Sequence, residues 1–190
     1  MPPKPRITGE MIVAAAAEIV RESGLESLNA RAVARRLGCS TQPVLYCFAT
    51  MEELKRAVYA YVDHLHSDYL MRLSGERDPL LEIGLNYIRF AIGEPRLFRF
   101  LFQSGYAAEH DLAAMIDSQE LQPILSAMQE GLGMDMQRTK EVFLTVALFT
   151  HGYASIIANN ALQFDEETVA AHLERAFNGA VMAAAQEGEQ

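Results

Sequence analysis

Residues 29–54 of the chain read NARAVARRLGCSTQPVLYCFATMEEL. The first part of this stretch carries apolar side chains at spacings of three and four, which is typical of one buried helix face: Ala30, Val33, Ala34 and Leu37. Gly38 follows at the point where such a helix must end, because glycine takes a positive φ at little steric cost. The pattern therefore predicts a helix that stops at a glycine turn.

A second, shorter helix is expected directly after that turn. Ser40 is placed to cap it, and Val44, Leu45 and Phe48 lie along it. Two helices joined by a short glycine-containing turn form the helix-turn-helix, whose second helix lies in the major groove of DNA. An ordinary helical hairpin has the same spacing. Basic side chains around the turn favour the DNA-binding interpretation: Arg31, Arg35 and Arg36.

Residues 8–54 resemble the N-terminal DNA-binding domain of TetR/AcrR-type transcriptional regulators. The family pattern has a helix of the type IVAAAAEIVRESG (residues 12–24), then ARRLG (34–38), an apolar residue and Ser, an aromatic-rich recognition helix, and an acidic pair before Leu54. The resemblance implies an all-α fold of about nine helices. Residues 1–50 would form a three-helix helix-turn-helix domain, and residues 51–190 a larger helical effector-binding and dimerisation domain.

Three positions depart from the family pattern. Leu45 stands where the family usually has Tyr, Cys47 where an aromatic residue or His precedes Phe48, and Met51 where the fourth helix usually starts with Lys. In the family, that Tyr and that Lys commonly hold DNA phosphates, and a thioether has no charge to do so. Either Lys55 takes over this contact or phosphate binding is weaker. We interpret the run GCSTQP as a subgroup variant of the motif.

The resemblance and the chemistry of the side chains together give a candidate DNA-binding set. Asn29 is expected to cap the second helix beside a phosphate. Gln42 is the best candidate for a base contact, because its amide can pair with adenine, and Pro43 is placed to touch a thymine methyl. The predicted DNA-binding residues are Asn29, Arg31, Ser40, Thr41, Gln42, Pro43, Tyr46, Thr50 and Lys55.

The charge of the chain is unevenly distributed. The net charge is −9, but residues 1–50 carry six basic and four acidic side chains, so the acidic excess lies in the rest of the chain. Such a gradient would orient the protein toward phosphate. The chain has no run of eighteen apolar residues and no secretory signal, so we expect a cytoplasmic protein without a membrane helix. Cys39 and Cys47 have neither disulfide nor zinc spacing, and we predict no metal and no cofactor.

The rest of the chain is predicted to be helical, because no strand-type alternation occurs in it. Asp135 and Asp165 are expected to cap two of these helices. The predicted helices span residues 52–73, 79–93, 96–103, 111–133, 136–160 and 166–186.

The segment 142–157, VFLTVALFTHGYASII, is apolar nearly all round, which is typical of a helix buried on more than one side. A single packed monomer is the alternative, but a helix-turn-helix usually works as two copies on paired half-sites. The family resemblance implies a homodimer built from the last two helices. The predicted interface residues are Gly152, Ser155, Ile156, Leu173, Phe177 and Val181.

Aromatic side chains, methionines and histidines could line an apolar cavity, and the resemblance implies a small-molecule effector inside the helical domain. Each of these side chains taken alone is more often part of an ordinary core. The predicted effector-pocket residues are Tyr61, His64, Tyr87, Phe90, Phe98, Phe102, Met115, Phe143 and His151.

Enzymatic motifs are absent from the sequence: there is no GxSxG, Walker loop, HExxH or GxGxxG. We therefore expect that the protein is not an enzyme. We expect instead a dimeric regulator that binds a double-stranded DNA operator. It is expected to be a repressor that an apolar or aromatic effector of unknown identity releases. The alternative is a helical protein-interaction adaptor that has lost DNA binding. Substituting Arg31 or Gln42 distinguishes the two hypotheses. A DNA-binding protein should lose DNA affinity and keep its fold, whereas the function of an adaptor should not change.

Overall fold

The structure is a computed structural model that describes residues 7–106, 116–117, 119, 121–160 and 163–186. These residues form nine α-helices and one short 3-10 helix, Leu25–Ser27, with no β-strand among them, so the predicted all-α fold is confirmed. The helices are α1 Gly9–Ser23, α2 Ala30–Arg36, α3 Gln42–Cys47, α4 Met51–Leu70, α5 Pro79–Gly93, α6 Pro95–Gln103, α7 Gln122–Leu132, α8 Met136–Asn160 and α9 Glu166–Gln186.

The predicted boundaries of α5, α8 and α9 agree with the structure, and the caps explain two of them. The side chain of Asp135 accepts a hydrogen bond from the Arg138 backbone N–H at 3.0 Å, and that of Asp165 accepts one from Thr168 at 3.1 Å. Both caps were predicted from the sequence and are confirmed. The predicted helix 111–133 lies partly outside the described residues.

Helix α4 ends at Leu70 instead of the predicted residue 73. The amide nitrogen of Asn86 donates hydrogen bonds of 3.1 Å to the backbone carbonyl oxygens of Leu70 and Arg72. These bonds satisfy the carbonyl of the last residue of α4 and one carbonyl of the segment that follows it. A side chain from α5 therefore fixes where α4 ends, which the local sequence of α4 could not reveal.

Contacts between Cα atoms divide the chain into two compact units. Unit 1 comprises Met1–Asp68 and Glu94–Ala107, and unit 2 comprises Tyr69–Gly93 and Ala108–Gln190. Unit 1 thus contains α6 in addition to the helix-turn-helix. The functional boundary between residues 50 and 51 stays a prediction.

In unit 1, α1 packs against α2, α3 and α6. Its inner face carries small side chains next to branched ones, such as Ala16, Ile12 and Val20, which are fully buried. Small residues allow neighbouring helices to approach closely, and branched ones fill the remaining space. Val33 of α2 and Val44 of α3 are buried in this core, so the helix-turn-helix packs against α1.

In unit 2, α8 packs against α5, α7 and α9. Gly84 permits close packing of α5 with α9, because a Cβ there would lie 3.3 Å from Cδ1 of Leu173. Leu85 and Ile88 of α5 and Val142 of α8 are buried in this unit. Burial of such side chains stabilises a core by roughly 1.5–3 kcal/mol each.

The sequence predicts no membrane-spanning segment, and helix α8 bears on this prediction. It is 25 residues long, and by length and composition alone it is apolar enough to cross one. Its contacts with three other helices are those of a core helix, but only 22% of its most apolar window is buried. Within the described part of the chain, the large apolar side chains that α8 exposes are Leu148, Phe149 and Ile156.

Candidate nucleic-acid interface

The helix-turn-helix begins with a side-chain cap. Asn29 has extended backbone, and its side-chain oxygen accepts a hydrogen bond of 3.0 Å from the Ala32 backbone N–H. This bond satisfies one of the donors that the first turn of α2 leaves open. The predicted capping role of Asn29 is confirmed, and its proposed phosphate contact stays a prediction.

The turn between the two helices is built around Gly38, which has a φ of 63°. The Gly38 N–H donates to the Arg35 carbonyl at 3.2 Å, and the Cys39 N–H donates to the Ala34 carbonyl at 3.0 Å. This pair of bonds is the Schellman arrangement, which closes a helix through a left-handed residue. The glycine turn predicted from the sequence is therefore present.

Helix α3 starts later than predicted, and the prediction that Ser40 caps it was wrong. The residue before the helix is Thr41, with a φ of −70° and helical ψ, and the start of α3 has no side-chain cap. A capping side chain usually needs extended backbone at that position, as Asn29 has. Pro43 lies in the first turn, where the missing N–H costs little. The helix ends at Cys47, before the predicted Phe48.

One residue of α3 is buried and most of the others face outward. Val44 is 1% exposed, whereas Leu45 is 53% and Tyr46 is 84% exposed. Gln42 is also exposed. Residues 42, 45 and 46 are three and four apart and share one helix face. The structure thus brings together two predicted DNA-binding side chains, Gln42 and Tyr46, and adds Leu45.

Basic side chains lie on α2 and α4 on either side of this helix in the sequence. Arg31 and Arg35 are exposed on α2, and Lys55 is partly exposed on α4. Arg36 is instead held by Glu22, with which it forms hydrogen bonds of 2.7 and 2.8 Å.

Thr50, a predicted phosphate contact, has a structural role at the start of α4. Its hydroxyl oxygen accepts a hydrogen bond of 3.1 Å from the Glu53 backbone N–H. The Glu53 carboxylate in turn accepts one of 2.8 Å from the Ala49 backbone N–H. The pair resembles a capping box and fixes the first turn of α4, the helix that follows α3.

A contact at the start of α4 could not be found by reading along the sequence. The Tyr106 hydroxyl donates a hydrogen bond of 3.0 Å to the Glu52 carboxylate, across 54 residues of chain. The Tyr106 ring also lies near those of Tyr59 and Phe100, with centroid distances of 6.2 and 5.8 Å. These contacts attach α4 to the end of α6 within unit 1.

The predicted effector-pocket residues of unit 1 have different environments. Tyr61 is 39% exposed, and the His64 side chain is 77% exposed on the surface of α4. Phe98 is fully buried, and Phe102 lies against His66 with a centroid distance of 5.4 Å. The pKa of His66 is lowered to about 4 by burial, so the ring is neutral at pH 7.

In unit 2 the structure pairs two of the predicted pocket residues. The Tyr87 hydroxyl and Nδ1 of His151 form a hydrogen bond of 2.8 Å, and partial burial lowers the pKa of His151. Phe90 is buried against the ring of Tyr69 at 5.5 Å. Phe143 packs instead against a separate cluster around Val142. Met115 lies outside the described residues.

The outer surface of α8 and α9 contains a groove of about 780 Å³ within unit 2. It is lined by mostly small or apolar side chains, including Val142, Thr145, Phe149, Ala176, Gly179 and Ala183. In the part of the chain that the structure describes, no group of three His, Cys, Asp or Glu side chains could hold a metal ion.

The residues predicted for a dimer interface divide into two groups. Gly152 is exposed, Ser155 is half-buried and Ile156 is 56% exposed on α8. Leu173 differs from the prediction, because it is 3% exposed and already packed within unit 2. Phe177 and Val181 are partly buried against the cluster around Val142. Large apolar side chains that the prediction omitted are more accessible: Leu148, Phe149 and Met182.

No protein-family model and no curated protein matches the chain. Solved structures do match it. BioQ with its natural double-stranded DNA operator is 16% identical, with a TM-score of 0.62 over 93% of this chain and 99% of that chain. A TetR-family transcription regulator from Marinobacter aquaeolei VT8 is 17% identical, with a TM-score of 0.61 over 92% and 94% of the two chains.

A TetR variant from Acinetobacter baumannii AYE in complex with minocycline is 14% identical, with a TM-score of 0.60 over 95% of this chain and 97% of that chain. In each of these comparisons the similarity extends over almost the whole of both chains. The chain therefore has the fold of the TetR-family transcription regulators.

Proposed function

We propose that this protein is a dimeric DNA-binding transcription regulator, and that it is a repressor released from its operator by a small apolar or aromatic effector. The observation that carries the proposal is the exposed face of α3. Gln42, Leu45 and Tyr46 project from a helix whose only buried side chain is Val44. In a helix-turn-helix, the second helix lies in the major groove, so exposed side chains on α3 support this role.

The surroundings of α3 support a DNA partner over a protein partner. Arg31 and Arg35 are exposed on the preceding helix, in a chain whose net charge is −9. Basic side chains next to a recognition helix neutralise phosphates and release counterions. The adaptor alternative gives no reason for these arginines.

Fluorescence anisotropy of the purified protein tests the proposal. The probes are the DNA upstream of the gene that encodes the protein and an unrelated duplex, each at two salt concentrations. We expect tighter binding to the upstream DNA, weakened by salt. Equal, weak binding to both duplexes is the result expected of an adaptor.

Two variants and a control assign the contacts. Arg31→Ala is expected to weaken binding to every duplex and to reduce the salt slope by about one. Gln42→Ala should act mainly on the operator, where a good base contact contributes roughly 1–3 kcal/mol of discrimination. Arg138→Ala removes a basic side chain of unit 2 that is ion-paired with Asp135, and it should leave DNA binding unchanged.

The dimer is proposed to form through the exposed faces of α8 and α9. Leu148 and Ile156 of α8 and Met182 of α9 are each at least half exposed, and Gly152 and Gly179 would allow a partner helix to approach closely. A partner that covers these side chains would remove their apolar area from water. Two copies would supply the two recognition helices that paired half-sites need.

The effector is proposed to bind in unit 2 near the pair formed by Tyr87 and His151. A hydroxyl and an imidazole joined by a bond of 2.8 Å, both half-buried on apolar helices, can orient an otherwise apolar ligand. Aromatic compounds are tested by measuring DNA affinity with and without each one. An active compound should lose its effect in the Tyr87→Phe variant, and a set without any active compound would argue for constitutive binding.

A further inference from the structure

The turn and the recognition helix carry no charge. Residues 37–51 contain no Asp, Glu, Lys or Arg, although these residues make up 22% of the chain. Within this stretch the exposed face of α3 carries a carboxamide, an isobutyl group and a phenol, those of Gln42, Leu45 and Tyr46.

We infer that this face reads A·T base pairs through the methyl groups of thymine and the edge of adenine. The inference rests on the proposed function and specifies the base pairs that the same helix recognises. Leu45 is the residue that we add to the reading face as a determinant of specificity.

The chemistry of the major groove supports this assignment. The commonest contact to guanine is a bidentate Arg or Lys, and contacts to cytosine commonly use Glu or Asp. Residues 37–51 offer none of these side chains. Gln pairs with the N6 and N7 atoms of adenine, and apolar groups contact the C5 methyl of thymine. Leu45, which is 53% exposed and one turn from Gln42, can supply such an apolar contact.

The charge distribution favours duplex DNA over an apolar protein surface as the partner. Arg31 and Arg35 lie exposed on α2, directly before the uncharged stretch. Phosphate contacts position a protein without reading sequence, whereas base contacts specify it. In this protein the two tasks fall to different helices, with charge on α2 and an uncharged reading face on α3.

The test starts with selection of bound duplexes from a library with a random core, using the full-length protein. The bound duplex is then remade with deoxyuridine at single thymine positions. This change removes only the C5 methyl group and keeps the hydrogen-bonding edge. Affinities are measured for the wild type, for Leu45→Ala and for the control Leu73→Ala, whose side chain is 39% exposed outside the helix-turn-helix.

We expect the selected half-sites to be enriched in A·T pairs. At one or more positions uracil should weaken wild-type binding about fourfold, the factor that corresponds to losing the burial of one methyl-sized group. Leu45→Ala should bind thymine DNA more weakly and lose the uracil effect at the same position. Leu73→Ala should behave as the wild type does.

Other results overturn the inference and separate it from the proposed function. Selected half-sites rich in G·C, or a uracil effect that is equal in the wild type and Leu45→Ala, would refute the thymine contact while leaving the DNA-binding function intact. Failure to retain any duplex would refute both. In that event Leu45 and Tyr46 would be better explained as a surface for a protein partner.

Discussion

The guanidinium of Arg36 donates two hydrogen bonds, 2.7 and 2.8 Å long, to the carboxylate of Glu22. The bond to Arg36 holds the pKa of Glu22 below its usual value. This bidentate pair joins the last turns of α1 and α2. Arg36 is one of the three arginines of α2, with Arg31 and Arg35, and the pair engages its guanidinium.

Glu22→Gln should release Arg36 for contact with phosphate. We expect tighter binding to unrelated duplex DNA and a slope of log affinity against log salt that is steeper by about one. Anisotropy titrations over a salt series measure both quantities. Glu26→Gln, which removes an exposed charge from the same unit and leaves the Arg36 pair intact, is the matched control. Identical slopes for the two variants would contradict the prediction.

Asn29→Ala should destabilise the protein, because it removes the cap of α2. The expected loss is about 1 kcal/mol of unfolding free energy, measured by urea denaturation. Asn29→Ser should retain most of the stability, since a hydroxyl oxygen can accept the same bond. Asn178→Ala, at an exposed position within α9, is the control and should cause no loss. Full stability of Asn29→Ala would show that the cap contributes nothing.

Asn86→Asp should destabilise unit 2 although it is nearly isosteric. The Asn86 amide donates to two backbone carbonyls at the end of α4, and its oxygen accepts a bond of 2.8 Å from Arg89. A carboxylate keeps the contact to Arg89 and loses both donors. Because the side chain is 4% exposed, we expect a loss of roughly 1–3 kcal/mol. Hydrogen exchange of residues 70–75 should accelerate, and unchanged exchange would contradict this account.

The stability of the protein should fall as the pH is lowered from about 6.5 to 4. His66 has an ordinary pKa of 6.5 when unfolded and one of about 4 in the fold, so the unfolded chain binds the proton more tightly. This difference in pKa corresponds to about 3 kcal/mol of unfolding free energy. That stability is fully present above pH 6.5 and is lost progressively as the pH falls toward 4.

Urea denaturation of the wild type and of His66→Gln at pH 7, 5.5 and 4.5 isolates this contribution. The difference between their unfolding free energies should change with pH. The destabilisation that comes from protonated carboxylates is the same in both proteins, so it cancels in this difference. His64→Gln, which changes an exposed histidine on the same helix, should follow the wild type. A constant difference between the wild type and His66→Gln would refute the assignment.

Ile156→Glu should convert the proposed dimer to a folded monomer. The side chain is 56% exposed, so the charge adds no strain inside one copy, but it would be buried without a partner charge between two copies. Light scattering after size exclusion gives the mass. Met71→Glu, at a 55% exposed position outside α8 and α9, is the control. A dimer that survives Ile156→Glu would place the interface elsewhere.

Much of the fold could be predicted from the sequence because its signals are local. The glycine turn and the caps at Asn29, Asp135 and Asp165 each depend on a few neighbouring residues. Two of the features that were missed depend on distant partners. Asn86 ends α4 from sixteen residues away, and Tyr106 contacts Glu52 across 54 residues.

The same distinction holds for the candidate sites. Helical periodicity marks a side chain as apolar, but it does not decide whether that side chain faces the core or the solvent. Leu173 and Ile156 fit the same pattern, and the structure buries one and exposes the other. Tyr87 and His151 were predicted individually, but only the packing of α5 on α8 brings them to 2.8 Å.

Val44 is the single side chain of α3 that the core requires. The exposed positions of that helix, residues 42 and 45–47, can change by mutation without altering the packing that supports it. Under the proposed function, a descendant of this protein could therefore acquire a new target sequence in a few substitutions while its scaffold stays the same. For the same reason, residues 42, 45 and 46 are a practical starting point for a library of variants that tests the proposed specificity of α3.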